Sequence, residues 1–187
     1  MRRLLRPAPR ETLLDAGCGT GHFSRRFAEA GLEVIGADPD AGMLGYAREQ
    51  APGIPWLRAR MEHLPFPDNA FDLVTAVTSL CFVDRPEAAV EEMWRVARRG
   101  VLVGLLNRHS LLNRRKAGKG GYGGARWDTP AEADAWARGL TPAPAARRWG
   151  TAVFLPGAGL PARTLEPLLP AHLPLGAFLA VCWEKPG

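Results

Sequence analysis

The sequence LLDAGCGTGH occupies residues 13–22 and joins an apolar run to a helical pattern. Within it, glycine recurs at Gly17, Gly19 and Gly21. Glycine permits a tight turn and lets a ligand approach the backbone, because no Cβ stands in the way. The apolar run therefore predicts a buried strand, and the turn predicts a ligand-binding loop at the carboxyl end of that strand.

Apolar runs alternate with helical patterns from this turn to residue 106. Alternation of this kind, with short links, predicts a parallel sheet with right-handed crossovers and helices on both faces. The predicted strands are 12–16, 32–38, 54–60, 71–79 and 101–106, and the predicted helices are 22–31, 41–51 and 86–98.

The composition changes after residue 106. Residues 107–128 are basic and rich in glycine and show no clear apolar period, so we expect a mobile insertion there. A helix is predicted at 129–140, because Thr129 can cap its first turn and Glu132 stands three residues later. Strands at 148–156 and 175–185, and a proline-interrupted helical stretch at 161–173, would complete a single domain over residues 1–187.

Composition places the chain among ordinary globular domains. Of its 187 residues, 47% are hydrophobic and 23% are charged, which is typical of this class. No apolar run is long enough to span a membrane, and the basic N-terminal segment lacks the apolar core of a secretory signal. Three widely spaced cysteines, Cys18, Cys81 and Cys182, form neither a disulfide framework nor a zinc spacing. We therefore expect a cytoplasmic protein without a metal site.

Positive charge is concentrated in the middle of the chain. The formal net charge is +5, and the stretch from Met93 to Trp127 contains no Asp or Glu. Such a stretch could contact an anionic substrate, a nucleic acid or a membrane surface, or it could be a solvated face. Its basic residues are Arg95, Arg98, Arg99, Arg108, Arg114, Arg115, Lys116, Lys119 and Arg126.

The glycine loop departs from a dinucleotide-binding loop. That loop follows the pattern G-x-G-x-x-G, but here His22 stands where the third glycine would be. Asp15 lies two residues before Gly17, and its carboxylate would repel a pyrophosphate while attracting an ammonium or sulfonium group. These two features argue against an NAD-dependent oxidoreductase.

A second carboxylate, Asp38, ends the second predicted strand, 17 residues after Gly21. An acidic residue at about this distance binds the ribose hydroxyls in such folds. The pocket is therefore predicted to hold an unphosphorylated ribose and no diphosphate. S-adenosylmethionine meets both requirements.

Two motifs carry a resemblance to a known family. DAGCGTG (15–21) resembles the first motif of class I S-adenosylmethionine-dependent methyltransferases, and LPFPDNAFDLV (64–74) resembles a signature of their ubiquinone/menaquinone-biosynthesis-like (type 11) branch. The resemblance covers about residues 12–106. It implies an α/β, Rossmann-like, doubly wound sheet of seven strands, mostly parallel, whose last strand is antiparallel.

The resemblance also implies roles for individual residues. Gly17 and Gly19 would lie against the methionine part of the cofactor. Asp15 would reach its ammonium group directly or through water, and Asp38 would hold the ribose. Arg60 departs from the family, which often has an acidic residue at that position to accept the adenine amino group. The implied cofactor-binding residues are Asp15, Gly17, Cys18, Gly19, Gly21, Asp38, Pro39, Met43, Met61, Glu62, Val77 and Thr78.

The implied reaction is in-line transfer of a methyl group from the cofactor sulfonium to a small-molecule acceptor, leaving S-adenosylhomocysteine. Such a transfer depends mainly on positioning, so a general base is optional, and His22, His109 and Tyr122 are the candidates. Phe82 and Trp127 could form the walls of an acceptor pocket.

Few residues precede the first strand, so the helices that often cover the acceptor in this family are expected to be absent. The basic insertion could then close over the site and contact an anionic acceptor. Other functions stay open. One is a non-catalytic S-adenosylmethionine-binding or partner subunit, and a homo-oligomer is also compatible with the sequence. Nucleic-acid methylation is less favoured, because TSLCF (78–82) stands where a target-base motif such as N-P-P-Y would follow the fourth strand.

Overall fold

The computed structural model describes residues 2–154, 170, 173 and 175–187. Within these ranges, seven strands form a single sheet. The strands are β1 (Thr12–Ala16), β2 (Glu33–Asp38), β3 (Trp56–Arg58), β4 (Phe71–Val77), β5 (Ala97–Leu106), β6 (Ala146–Ala152) and β7 (Phe178–Glu184).

Helices connect most of these strands. Two short 3₁₀ helices, Leu80–Phe82 and Gly120–Tyr122, lie in the connections after β4 and β5. None of the described helices combines the length and the apolar character needed to cross a membrane. The α-helices are α1 (Arg2–Leu5), α2 (His22–Glu29), α3 (Ala41–Gln50), α4 (Pro86–Val96), α5 (Leu111–Lys116) and α6 (Pro130–Ala137).

The strand order is β3-β2-β1-β4-β5-β7-β6. Neighbouring strands from β3 to β5 pair in parallel. β7 is antiparallel to both of its neighbours, β5 and β6. This topology confirms the predicted α/β class, the seven strands and the antiparallel last strand. The order reverses between β1 and β4, and in such sheets ligands bind beyond the carboxyl ends of the strands at this point.

Apolar residues on both faces of the sheet are covered by helices. On one face, Met93 and Trp94 of α4 and Ala133 of α6 lie in the large core cluster. On the other face, Leu5 of α1 and Phe27 of α2 lie in a second cluster. Complete burial of a large apolar side chain contributes about 1.5–3 kcal/mol, so these contacts fix the helices, and with them the loops at the sheet edge.

The structure corrects the predicted boundary between the helix at 86–98 and the strand at 101–106. Helix α4 ends at Val96 and β5 already begins at Ala97, because strand pairing with β4 starts at that residue. The insertion at 107–128 contains α5 and a 3₁₀ helix, and its Trp127 packs with Cys81 and Leu106. The predicted mobility of the insertion stays a prediction. The helical stretch predicted at 161–173 falls almost entirely outside the described residues.

Candidate functional site

A cavity of about 470 Å³ lies at the carboxyl ends of β1, β2 and β4, where the strand order reverses. Its lining comes from the glycine loop, the start of α3 and the segments that follow β3 and β4. The predicted cofactor-binding residues that line it are Gly17, Gly19, Asp38, Pro39, Met43, Met61, Glu62 and Thr78.

The glycine loop forms the floor of this cavity. The backbone N–H groups of Gly17 and Cys18 donate to the carbonyl of Ala37, at 2.7 and 3.0 Å, which ties the loop to the end of β2. Gly17 has φ of +68°, and a Cβ there would lie 2.4 Å from Met61 Cε and 2.5 Å from Ser79 Cβ. No side chain fits at position 17 without displacing the opposite wall.

Asp38 stands at the end of β2 with its carboxylate beside the glycine loop. Its Oδ2 accepts from the backbone N–H of Gly19 at 2.8 Å, and its Oδ1 accepts from that of Asp40 at 2.9 Å. A carboxylate oxygen has two lone pairs, so each can accept a further hydrogen bond from a ligand hydroxyl. Asp40 in turn caps α3 by accepting from the N–H groups of Gly42 and Met43.

Asp15 is fully buried and does not line the cavity. Its Oδ2 accepts from Ser24 Oγ at 2.6 Å and its Oδ1 accepts from Thr75 Oγ1 at 3.0 Å. Burial raises the pKa of Asp15 to about 6, and the nearby charge of Asp38 adds to this rise, although the two hydroxyl groups oppose it. Asp15 therefore lies outside the lining, and its predicted reach to a ligand ammonium, directly or through water, stays a prediction.

Arg60 and Glu62 form an ion pair at the rim, with 3.1 Å between Nη2 and Oε1. Burial works to raise the pKa of Glu62, but hydrogen bonds from its own backbone N–H and from Arg60 outweigh it and lower the pKa. Glu62 is therefore ionised at neutral pH. With Asp38 and Asp40 also in the lining, carboxylates outnumber the single guanidinium, which suits a cationic ligand better than a diphosphate.

The segment from Thr78 to Val83 forms the wall opposite β2. The Thr78 N–H donates to the carbonyl of Gly104 at 2.7 Å, and Ser79 Oγ donates to the carbonyl of Ala16 at 3.2 Å. Thr78 has φ of +53°, which is unusual for a β-branched residue. Phe82 lines the cavity and is 58% exposed, so it is accessible from solvent.

Three other predicted cofactor contacts are absent from the lining, namely Cys18, Gly21 and Val77. Gly21 is buried, and a Cβ there would lie 2.4 Å from Trp56 Cη2, so this glycine serves packing. Burial raises the pKa of the Cys18 thiol far above its ordinary value, which rules out a reactive thiolate. The three cysteines form no disulfide.

None of the candidate general bases lines the cavity. His22 and His109 are exposed, and Tyr122 packs against Trp127 with 5.5 Å between ring centroids. In the described part of the chain, no cluster of three or more His, Cys, Asp or Glu side chains is placed to hold a metal ion.

Sequence reasoning missed three lining residues, Asp40, Ser79 and Val83. The pattern D-P-D before a helix could have indicated Asp40, because aspartate is a preferred N-cap residue. No sequence signal marks Ser79 or Val83 beyond their place after β4.

Most of the basic stretch is neutralised internally. Arg95, Arg98, Arg99, Arg108 and Arg126 each pair with a carboxylate. Arg114, Arg115, Lys116 and Lys119 are exposed, and none of them forms an ion pair within the described ranges. The free positive charge therefore lies on α5 and in the turn that follows it.

Comparisons with known proteins find relatives of the part of the chain that contains this site. Residues 14–104 match the methyltransferase domain family. The chain is 41% identical over 91 residues to malonyl-[acyl-carrier protein] O-methyltransferase of Yersinia pestis, covering 49% of this chain and 34% of the relative. It is 39% identical over 92 residues to demethylmenaquinone methyltransferase of Renibacterium salmoninarum, covering 49% and 39%. The matches thus span little more than a third of these relatives.

Among solved structures, a protein of Thermotoga maritima described as an S-adenosylmethionine-dependent methyltransferase, possible histamine N-methyltransferase, superposes with a TM-score of 0.74. The match covers 98% of this chain and 87% of that chain at 24% identity, and it shows a shared fold. The fold and the site define a Rossmann-like ligand-binding domain. Residues 14–104, which match the methyltransferase domain family, include every lining residue of the cavity.

Proposed function

We propose that this chain transfers a methyl group from S-adenosylmethionine to a small-molecule acceptor. The observation that carries the proposal is the cavity at the strand-order reversal. There a glycine turn, which has no room for a side chain at Gly17, faces an ionisable carboxylate, Asp38, in an acidic lining. The match of residues 14–104 to the methyltransferase domain family supports the same conclusion.

The lining fits this cofactor. Asp38 would accept hydrogen bonds from the ribose hydroxyls, Pro39 and Met43 would pack on the adenine, and Glu62 would lie at the adenine edge. The excess of carboxylates favours a ligand with sulfonium and ammonium charges over the diphosphate of NAD. When bound, the cofactor supplies a methyl group on a positively charged sulfur that is a good leaving group.

The chain would contribute positioning and exclusion of water. No His, Lys, Cys or Tyr is among the residues that line the cavity. Its carboxylates, Asp38, Asp40 and Glu62, already accept hydrogen bonds or an ion pair within the protein, so we propose an acceptor whose nucleophile needs no general base. A carboxylate, a neutral amine or an enolised carbon fits this requirement better than an alcohol. Phe82 would lie at the acceptor side, since its ring lines the cavity and is exposed.

Calorimetric titration with S-adenosylhomocysteine, with NAD as the control ligand, tests this proposal. We expect micromolar binding of S-adenosylhomocysteine and none of NAD. Asp38→Ala should weaken binding by at least about tenfold, because charge-assisted hydrogen bonds contribute roughly 1.5–3 kcal/mol each. Asp68→Ala is the matched control, since Asp68 is an exposed carboxylate that pairs with Arg95 outside this cavity. Tight NAD binding, or no binding of either ligand, would contradict the proposal.

Turnover separates an enzyme from a binding subunit. Incubation with S-adenosylmethionine and a panel of carboxylic acids, amines and enolisable ketones should yield S-adenosylhomocysteine with at least one of them. Binding without turnover on any of these classes would instead favour a non-catalytic partner subunit.

We also propose that the acceptor carries negative charge. The support is the contrast within the basic stretch, where five arginines are paired with carboxylates and the four cations of α5 and its following turn are not. Replacing Arg114, Arg115 and Lys116 with Ala should leave cofactor affinity unchanged and raise the KM for an anionic acceptor. Arg98→Ala is the control, because its partner Asp72 is the second residue of β4, at the opposite edge of the sheet. An unchanged KM in the triple variant would refute an anionic acceptor.

A further inference from the structure

Arg126 belongs to the insertion, yet it contacts the wall of the cavity through three backbone carbonyls. Its own backbone N–H donates to Cys81 at 2.8 Å. Its guanidinium donates from Nη1 to the carbonyl of Val83 and from Nη2 to that of Leu80, both at 2.9 Å. These three acceptors span the 3₁₀ helix after β4 and the residue that follows it, so one side chain and its backbone hold this turn together.

The same turn lines the cavity. Ser79, Phe82 and Val83 are lining residues. Within the turn, the described hydrogen bonds are short-range ones, from Phe82 N–H to the Ser79 carbonyl and from Val83 N–H to the Leu80 carbonyl. A single 3₁₀ turn has poor hydrogen-bond geometry and leaves carbonyls without helical partners. Donors from elsewhere in the chain therefore add to the Ser79–Ala16 hydrogen bond and to the packing of Cys81 in fixing its position.

Arg126 is itself held by buried contacts. Its Nε lies 2.6 Å from Asp128 Oδ1, and Asp128 is only 1% exposed. The Asp128 backbone is anchored to the end of β5, where its N–H donates to the carbonyl of Leu106 at 2.8 Å. The guanidinium also lies over the ring of Trp136 in α6, 5.2 Å from the centroid. The side chain is thus fixed from the sheet and from a helix.

We propose that Arg126, itself held in place by Asp128, is a positioning residue that fixes the Ser79–Val83 wall of the cavity. The insertion therefore takes part in forming the cofactor site itself, in addition to any contact with the acceptor. The link to ligand affinity rests on the proposed function, whereas the positioning of the wall does not, and the two are tested separately.

Hydrogen–deuterium exchange tests the positioning without any ligand. In Arg126→Gln the amides of Phe82 and Val83 should exchange at least about tenfold faster, because the guanidinium donors to this turn are lost. Arg108→Gln is the matched control. Arg108 also belongs to the insertion and donates to a carbonyl, that of Trp127, and to Glu132, but not to the turn. Equal protection of these two amides in both variants would overturn the proposal.

A double variant separates positioning from general stability. Arg126→Gln leaves Asp128 buried without its partner, whereas Arg126→Gln with Asp128→Asn removes both charges, so the double variant should recover much of the melting temperature. Its affinity for S-adenosylhomocysteine should stay reduced by at least about fivefold, since the carbonyls of Leu80 and Val83 still lack the guanidinium N–H donors of Arg126. Affinity that recovers together with stability would show that Arg126 is merely structural.

The two proposals fail in different ways. If the wild-type chain binds no S-adenosylhomocysteine, the cofactor assignment falls, and the exchange rates of Phe82 and Val83 still decide whether Arg126 positions the turn. If the wild type binds and Arg126→Gln exchanges normally, the cofactor assignment stands and the positioning role falls.

Discussion

Asp15 is an ionisable side chain in a fully buried position, between Ser24 and Thr75. Burial raises its pKa to about 6 from the ordinary value of 3.8. Between these two values the native state binds more protons than the unfolded state, so the free energy of unfolding falls as the pH rises. Above about pH 6 Asp15 is ionised in both states, and its burial then lowers the free energy of unfolding by on the order of 3 kcal/mol.

Asp15→Asn should therefore stabilise the protein at pH 8 by about 1–3 kcal/mol, with a gain that shrinks toward zero near pH 4. The Ser24 and Thr75 hydroxyls can both donate and accept, so the neutral amide keeps hydrogen-bonded partners. Urea unfolding of both proteins from pH 4 to pH 8 measures the difference directly. A difference that does not change with pH would show that ionisation of Asp15 carries no cost.

Gly17 and Gly31 both have positive φ, +68° and +88°, but differ in their surroundings. A Cβ at Gly17 would meet Met61 and Ser79, whereas a Cβ at Gly31 would have no neighbour within 4 Å. Alanine at either position should cost about 1–2 kcal/mol of stability from backbone strain. Only Gly17→Ala should also reduce affinity for S-adenosylhomocysteine, by at least about tenfold, as measured by calorimetry. Equal affinity in the two variants would refute the role of Gly17 in the site.

Helix α6 begins with a capping box that was evident in the sequence. Thr129 Oγ1 accepts from the N–H of Glu132 at 3.3 Å, and the Glu132 carboxylate accepts from the N–H of Thr129 at 2.7 Å. Thr129→Ala should lower the free energy of unfolding by about 1 kcal/mol. Thr129→Ser keeps the hydroxyl and should change it by no more than a few tenths of a kcal/mol. Chemical denaturation compares the two, and an equal loss in both would exclude the cap as the cause.

Elements with strong local signals were predictable from sequence. The strands β1, β2, β4 and β5 are runs of apolar residues buried on both faces, as parallel strands require, and α4 has a proline at its start and an arginine in its last turn. The short helix α5 was missed, because six residues with no buried member give no apolar period. Its N-cap, Ser110, was its only local signal.

The residues of the site likewise divide into those with a local sequence signal and those without one. Gly17, Gly19 and Asp38 were found because they occur in contiguous motifs directly after strands. The role of Arg126 could not be predicted, since its guanidinium partner Leu80 is 46 positions away. In the sequence it is one basic residue among several in the same stretch. The placement of Asp15 behind Ser24 and Thr75 likewise depends on the pairing of β1 with β4, which no local pattern specifies.

Contacts between distant segments bind the described parts of the chain together. Arg99 of β5 pairs with Glu11 at 2.8 Å, before the first strand. Arg148 of β6 donates to the carbonyl of Leu4 in α1 at 2.8 Å and pairs with Glu184 of β7. Segments far apart in sequence thus meet across one sheet. A ligand bound at the carboxyl ends of the strands should therefore stabilise the whole sheet against unfolding.

This continuity makes ligand binding visible as a shift in thermal unfolding. At a concentration of 100 times its Kd, S-adenosylhomocysteine should add about 2.7 kcal/mol to the free energy of unfolding. For a chain of this size that corresponds to a rise in Tm of roughly 5–10 °C. Far-UV circular dichroism and tryptophan fluorescence should report the same rise, and Asp38→Ala should show at most about half of that rise at the same concentration. A shift in only one of the two signals would mean that the sheet does not unfold as one unit, and no shift in either would count against the proposed cofactor.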